Sequence, residues 1–182
     1  MKIYKILIAS IILMVSISAY SFELTSSDIK QGEDLSNVFE FNGFGCNGDN
    51  ISPMLAWKNI PEGTKYFAIT LYDPDAPSGS GWWHWQVINI PKNILYFARG
   101  TGNSDQTKIP NGAMQMRNDY GIYGFGGACP PIGDTKHHYQ FTVYALPEKL
   151  DMAKDSSAAL VGFMLNANAI ASSTIEALYQ RD

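Results

Sequence analysis

The 182-residue chain carries 13 Lys and Arg against 17 Asp and Glu, a formal net charge of −4. That acidic balance argues against nucleic acid, or an anionic membrane face, as a partner by bulk electrostatics. The length suits one domain with a sizeable core, and no repeat, charge run or low-complexity tract divides it.

The first residues read as an address. Lys2 and Lys5 form a basic start, residues 6–17 an apolar run, and residues 18–21 a mostly small-residue flank with Ala19 and Ser21 as candidate last residues removed. An apolar run of about 12 residues falls short of the roughly 20 that span a bilayer as a helix. We therefore expect a secretory signal at 1–21 and a single domain at 22–182, periplasmic or secreted; a retained N-terminal anchor is the alternative. Cleavage takes the 13 basic residues to 11 against 17 acids, so the mature chain is more acidic still.

Beyond the signal the pattern is mostly strand. Short candidates at 22–25, 54–57 and 96–98 are separated by turn clusters such as Pro61-Glu62-Gly63. Residues 66–72 alternate, with Phe67, Ile69 and Leu71 on one face, and run directly into Asp73-Pro74-Asp75-Ala76-Pro77. Two prolines stiffen that segment, and Ser78-Gly79-Ser80-Gly81 lets the chain reverse into the next run at 83–90, closed by Pro91. A third long run covers 138–146. Only the tail reads as helix, capped by Asp155 or Ser156, with Val161, Met164, Leu165 and Asn168 at helical spacing. Asn168 on that stripe reads as a satisfied core amide. The expected fold is mainly β, an antiparallel β-sandwich with short C-terminal helices.

Cys46 and Cys129 each sit in a glycine-rich loop of an exported chain, so a disulfide is expected, with two buried thiols as the alternative. All three histidines start predicted strands. Alternation puts His84 on the opposite face from Trp83 and Trp85, and sends only one of His137 and His138 toward it. Between these strands runs a long loop, 120–131, whose Gly126 and Gly127 allow close backbone approach and whose N–H groups could form an anion nest.

Four ordered motifs now stand together: Cys46-Asn47-Gly48-Asp49-Asn50-Ile51-Ser52-Pro53; Asp73-Pro74-Asp75-Ala76-Pro77; Gly81-Trp82-Trp83-His84-Trp85; and Gly126-Gly127-Ala128-Cys129-Pro130-Pro131, continuing through Gly133 to His137-His138-Tyr139. With them the chain resembles the phosphatidylethanolamine-binding proteins, closest to the bacterial Raf-kinase-inhibitor-like branch, from Phe22 to near the C-terminus. The resemblance implies a β-sandwich with a small pocket for phosphate, phosphorylethanolamine head groups or phosphorylated side chains. It implies a lining of Asp73, Asp75, Pro77, His84, Pro130 or Pro131, His137 and Tyr139, with Tyr179 where a C-terminal tyrosine closes the pocket in some members. Two departures stand out. Lys136-His137-His138-Tyr139 replaces the Gly-x-His-Arg-Tyr of eukaryotic members, so His138 takes the place of a permanent cation. Ala167-Asn168 replaces the Gly-His pair of bacterial relatives.

Such a lining mixes acids, which can accept from an ammonium group, with imidazole, tyrosine and backbone donors for phosphate. Three function classes follow. One is a non-catalytic binding protein without cofactor, monomer or homodimer, taking a phosphate-containing ligand or phospholipid head group. Another is an inhibitor or modulator of an exported or host protein. The third is a metal-dependent hydrolase using Asp73, Asp75, His84 and His137. No His-Glu-x-x-His, Gly-x-Ser-x-Gly or Walker loop supports catalysis. A plainer reading makes the aspartates turn caps and His84 a satisfied core residue.

Overall fold

A computed structural model describes residues 21–181; the expected signal segment lies outside them except for Ser21. Its strands are β1 (Glu23–Thr25), β2 (Asn42–Gly43), β3 (Cys46–Asn47), β4 (Leu55–Lys58), β5 (Tyr66–Asp73), β6 (Trp82–Pro91), β7 (Tyr96–Phe97), β8 (Met114–Gln115), β9 (His137–Leu146) and β10 (Ala171–Tyr179), with helix α1 (Ala158–Asn168) before β10. A five-stranded sheet runs β10-β9-β5-β6-β8, a three-stranded sheet β1-β4-β7, and β2-β3 form a small hairpin. Every named strand pair is antiparallel. The fold is mainly β, as the alternating runs predict.

The alternation of β5 decides the layering. Phe67, Ile69 and Leu71 join Leu24, Trp57 and Phe97 of the small sheet in the main core. Ala68, on the other face, joins Ile88, Tyr144 and Leu146 beneath Val161 and Leu165 of α1. Close approach of that helix depends on Gly162, where a Cβ would stand 2.6 Å from the Trp83 ring. Asp73 continues the inward-facing series of β5 to the sheet's end, where the core opens.

The C-terminal region corrects the sequence reading in three ways. The helix is capped by Ser157, whose hydroxyl accepts from Leu160 N, and not by Asp155 or Ser156. It ends at Asn168, and β10 then pairs with β9 along its whole length, so there is one helix and a long strand instead of a helical tail. Asn168 is exposed, its amide donating to Met164 O at 2.7 Å within its own helix, so it is no core amide. The strand was hard to read because only Ile175 and Ala177 of β10 are buried. Cys46 and Cys129 are joined in a disulfide, Cα atoms 6.0 Å apart, tying the β2-β3 hairpin to the 126–131 loop.

Candidate functional site

Asp73 organises the open end of the core. Its Oδ1 accepts from Asp75 N at 2.9 Å and Ala76 N at 3.2 Å, an Asx turn that folds the proline segment back over β5. Its Oδ2 accepts from His137 Nδ1 at 2.8 Å, and both side chains are buried. The reversal after Pro77 needs glycine at 81: φ is +68°, and a Cβ would stand 2.2 Å from the Tyr72 hydroxyl. That hydroxyl donates to Ser80 O at 2.9 Å and pins the turn.

His84 reaches the site through an irregularity in β6. The β5–β6 register passes from Tyr72↔Trp83 to Leu71↔Trp85, leaving His84 as the extra residue of a bulge. Trp83 packs on Tyr72 and the helix, whereas the His84 ring lies 5.3 Å from Tyr139 and the Trp85 ring 5.7 Å from Phe125. His84 and Trp85 therefore share the inner side, contrary to simple alternation, which the bulge breaks. His137 and His138 do alternate: His137 is buried beside Asp73, while His138 is half-exposed and pairs with Asp75.

The hydrogen bonds of His84 assign its tautomer. Nδ1 lies 3.0 Å from Gly126 O and 2.9 Å from Gly127 O, both acceptors, so Nδ1 carries the proton. Burial pushes the imidazole pKa down from 6.5 to about 4, with the Asp73 charge and the two carbonyls pulling the other way. The neutral ring then presents Nε2 as an acceptor. It has no partner among the described residues and stands 4.0 Å from Asp73 Oδ2. A neutral His84 cannot donate to phosphate from this atom, which reverses the donor role expected from sequence.

Asp73, Pro77, His84, Pro130, Pro131 and His137 line a cavity of about 350 Å³. Phe44, Trp82, Tyr120, Cys129 and Arg181 complete much of its wall. Tyr120 stacks on Phe41 with ring centroids 4.0 Å apart and meets Trp82 and His84 edge-on, so one side of the wall is aromatic. Among the described residues Arg181 supplies the one Lys or Arg side chain of the lining, donating through Nε to Pro130 O at 2.6 Å and through Nη1 to Gly45 O at 2.8 Å.

The motifs at this cavity, and the sandwich that carries them, agree with a family model described as phosphatidylethanolamine-binding protein, which matches residues 25–180. The chain belongs to the phosphatidylethanolamine-binding protein family. It is 55% identical over 180 residues to UPF0098 protein YbcL of Escherichia coli K12, covering 97% of this chain and 98% of that one. UPF0098 protein YbhB of the same organism is 47% identical over 158 residues, 86% of this chain and 99% of that one. The crystal structure of E. coli YbcL, described as a member of the mammalian PEBP family, superposes with a TM-score of 0.86 at 56% identity, covering 88% of this chain and 99% of that one. A phosphatidylethanolamine-binding protein from Plasmodium vivax, 13% identical, shares the fold with a TM-score of 0.54 over 94% of this chain and 91% of its own.

Several residues that the family resemblance or the loop composition nominates stand elsewhere. Asp75 turns outward, its Oδ2 accepting from both N and Nδ1 of His138 at 2.7 Å. Tyr139 lies beneath the histidines, fully buried, its hydroxyl without a partner among the described residues. Tyr179 donates to Glu40 Oε2 at 2.5 Å, and Glu40 Oε1 accepts from Asn47 N of the hairpin at 2.8 Å. Gly126 and Gly127 form no anion nest, because their N–H groups already donate to His84 O and Asn50 Oδ1. Their part is to offer carbonyls to His84, and their lack of a side chain admits Tyr120 and the 39–41 backbone, which a Cβ would meet at 2.4 and 2.2 Å. As for the hydrolase reading, Asp75 faces away from the other three residues, and no group of three or more His, Cys, Asp or Glu side chains gathers as metal ligands would among the described residues.

Sequence reasoning missed Arg181 because it lies 43 positions after His138, in a tail read as helical. The signal was present in β10: Ile175, Ala177 and Tyr179 alternate with Thr174, Glu176 and Leu178, a period that carries the chain back to the cavity end of β9.

Proposed function

We propose that the chain is a non-catalytic binding protein whose cavity receives a phosphate head group of the phosphorylethanolamine kind. The observation that carries this reading is His84 Nε2, a buried acceptor without a partner among the described residues, at the wall of a small, mostly apolar cavity. A buried polar atom left unpaired costs about 1–3 kcal/mol, so its retention favours a ligand that satisfies it. The ligand must bring the proton, as the P–OH of a phosphate monoanion or the ammonium of ethanolamine does. Asp73 adds acceptor character on the same side, which suits a zwitterion.

In this reading residues 1–21 are a signal that delivers the 22–182 domain to the periplasm or beyond, where the disulfide is at home. Among the described residues no helix is long and apolar enough to cross a membrane. The ligand is a free phosphomonoester or a phospholipid head group, and modulation of an exported or host protein follows from occupancy of the rim. Titration with phosphorylethanolamine and with inorganic phosphate, followed by NMR, tests it. Shifts should centre on Gly126, Gly127, His137 and the His84 ring. They should vanish in His84→Asn, which keeps a donor for the two carbonyls and removes the Nε2 acceptor; shifts that persist in a folded His84→Asn would overturn the assignment.

A further inference from the structure

Arg181 is held by two carbonyls that flank the two halves of the disulfide. Gly45 O precedes Cys46, and Pro130 O follows Cys129. The β2-β3 hairpin and the 126–131 loop are otherwise joined at their base, where Glu40 bridges Ala128 through Phe41 N to Ala128 O at 2.9 Å and Ala128 N to Phe39 O at 3.2 Å. At the tip the covalent link is the disulfide itself. The two acceptors are thereby kept within the span of one planar guanidinium, whose donors form a rigid fork. Gly133 N donates to Arg181 O at 3.4 Å, so the main chain of the residue is tied to the turn just after that loop.

With Nε and Nη1 engaged, Nη2 has no bond, and Arg181 no carboxylate partner, among the described residues. Arg99, by contrast, is neutralised by Asp28. The charge of Arg181 is thus presented at the cavity wall, and the bonds that orient it use uncharged carbonyls. The same cavity is lined by His84, neutral through burial, and by Asp73, whose oxygens are engaged by two backbone N–H groups and His137.

Resting on the reading of this cavity as a phosphate site, we infer that Arg181 is the charge partner of the bound phosphate and that the Cys46–Cys129 disulfide builds its seat, so that anion binding is lost when the pair is reduced. The His138 that replaces the eukaryotic motif's arginine does not fill this role, since it is turned outward onto Asp75. Reduction by a dithiol breaks the S–S bond with two electrons and two protons, giving two thiols and leaving the reagent as a cyclic disulfide. Cys129 is half-buried on the cavity wall, which gives a small dithiol access. The hairpin tip then parts from the loop and the fork loses one carbonyl. Binding is off where thiols are kept reduced and on where they are oxidised.

The test is phosphate affinity by calorimetry, with inorganic phosphate as probe, on the wild-type protein and Arg181→Gln, each oxidised and after dithiothreitol, with circular dichroism to verify folding. Arg181→Gln should weaken binding about tenfold. Dithiothreitol should weaken the wild type by a similar factor yet change Arg181→Gln by less than about twofold, because the disulfide acts through a residue no longer there. Arg181→Lys, which keeps the charge and loses the fork, should recover only part of the loss and show no redox effect. Wild-type affinity in Arg181→Gln would overturn the inference while leaving the cavity reading intact. Equal weakening of both proteins by dithiothreitol would overturn the role of the disulfide. No phosphate binding by the wild type in either redox state would instead sink the anion reading, and this inference with it.

Discussion

His137 Nδ1 stands 2.8 Å from Asp73 Oδ2, with both side chains almost wholly out of solvent. Because Asp73 also accepts two backbone N–H groups, removing its carboxyl orphans three donors at once. Breaking such a buried pair costs about 3–5 kcal/mol. Asp73→Ala and His137→Ala should each lower the urea unfolding free energy by about that much, and the double variant by clearly less than the sum. A loss under about 1 kcal/mol in either single variant would mean the pair is not what holds the proline segment to β9.

His84 sets a pH dependence of stability with a definite sign. Its folded pKa of about 4 lies below the ordinary 6.5, so the unfolded chain binds the proton more readily between those values. The stabilisation is fully present above about pH 6.5 and is lost as pH falls toward 4, by about 3 kcal/mol in all. Urea melts from pH 7 to 4 should show this slope, and it should be absent from His84→Asn. A profile that is the same for both proteins would contradict a buried neutral imidazole.

At His138 the sign is opposite and the effect is small. The hydrogen bond to Asp75 holds its pKa above 6.5, so its contribution is present below 6.5 and lost as pH rises through the raised value. Burial works against ionisation of Asp75, yet the His138 bonds outweigh it and lower its pKa. Both side chains are more than two-fifths exposed, so solvent screening keeps the pair under about 1 kcal/mol. An NMR titration should find His138 protonating above its ordinary range while His84 stays neutral down to pH 5. A normal His138 titration would remove the Asp75 pairing.

Ligand affinity should fall as pH rises above about 6, because a phosphomonoester there loses the proton that His84 Nε2 accepts. The decline should approach about tenfold per pH unit if the monoanion alone binds. Isothermal titration of phosphorylethanolamine from pH 5.5 to 8 measures it. A flat profile would assign the Nε2 contact to the ammonium end, and a rising one would contradict an acceptor at this position.

The legible part of this fold was the part governed by a simple period. Residues 66–72 alternate strictly, and they became the central strand whose inward series ends in Asp73. The four motifs likewise gathered Asp73, His84, His137 and the Pro130-Pro131 corner at one cavity. Where the period breaks, the sequence misled. His84 sits on a bulge that no alternation encodes, so its neighbour Trp85 shares its side of the sheet. Gly126 and Gly127 look in sequence like a ligand cradle, yet their N–H groups are spent on His84 and Asn50, a matter of tertiary partners alone. Arg181 escaped notice because what holds it at the cavity is two carbonyls more than 50 positions away in the chain.

In the proposed reading a phosphate head group occupies this cavity with His84 Nε2 as the acceptor. A crystal structure of the protein with phosphorylethanolamine, collected near pH 6, tests it most directly. Density for the phosphate should stand between His84 and Arg181, with one ligand donor within hydrogen-bond distance of Nε2. Density for the ligand elsewhere, or a cavity holding only solvent at saturating ligand, would contradict it.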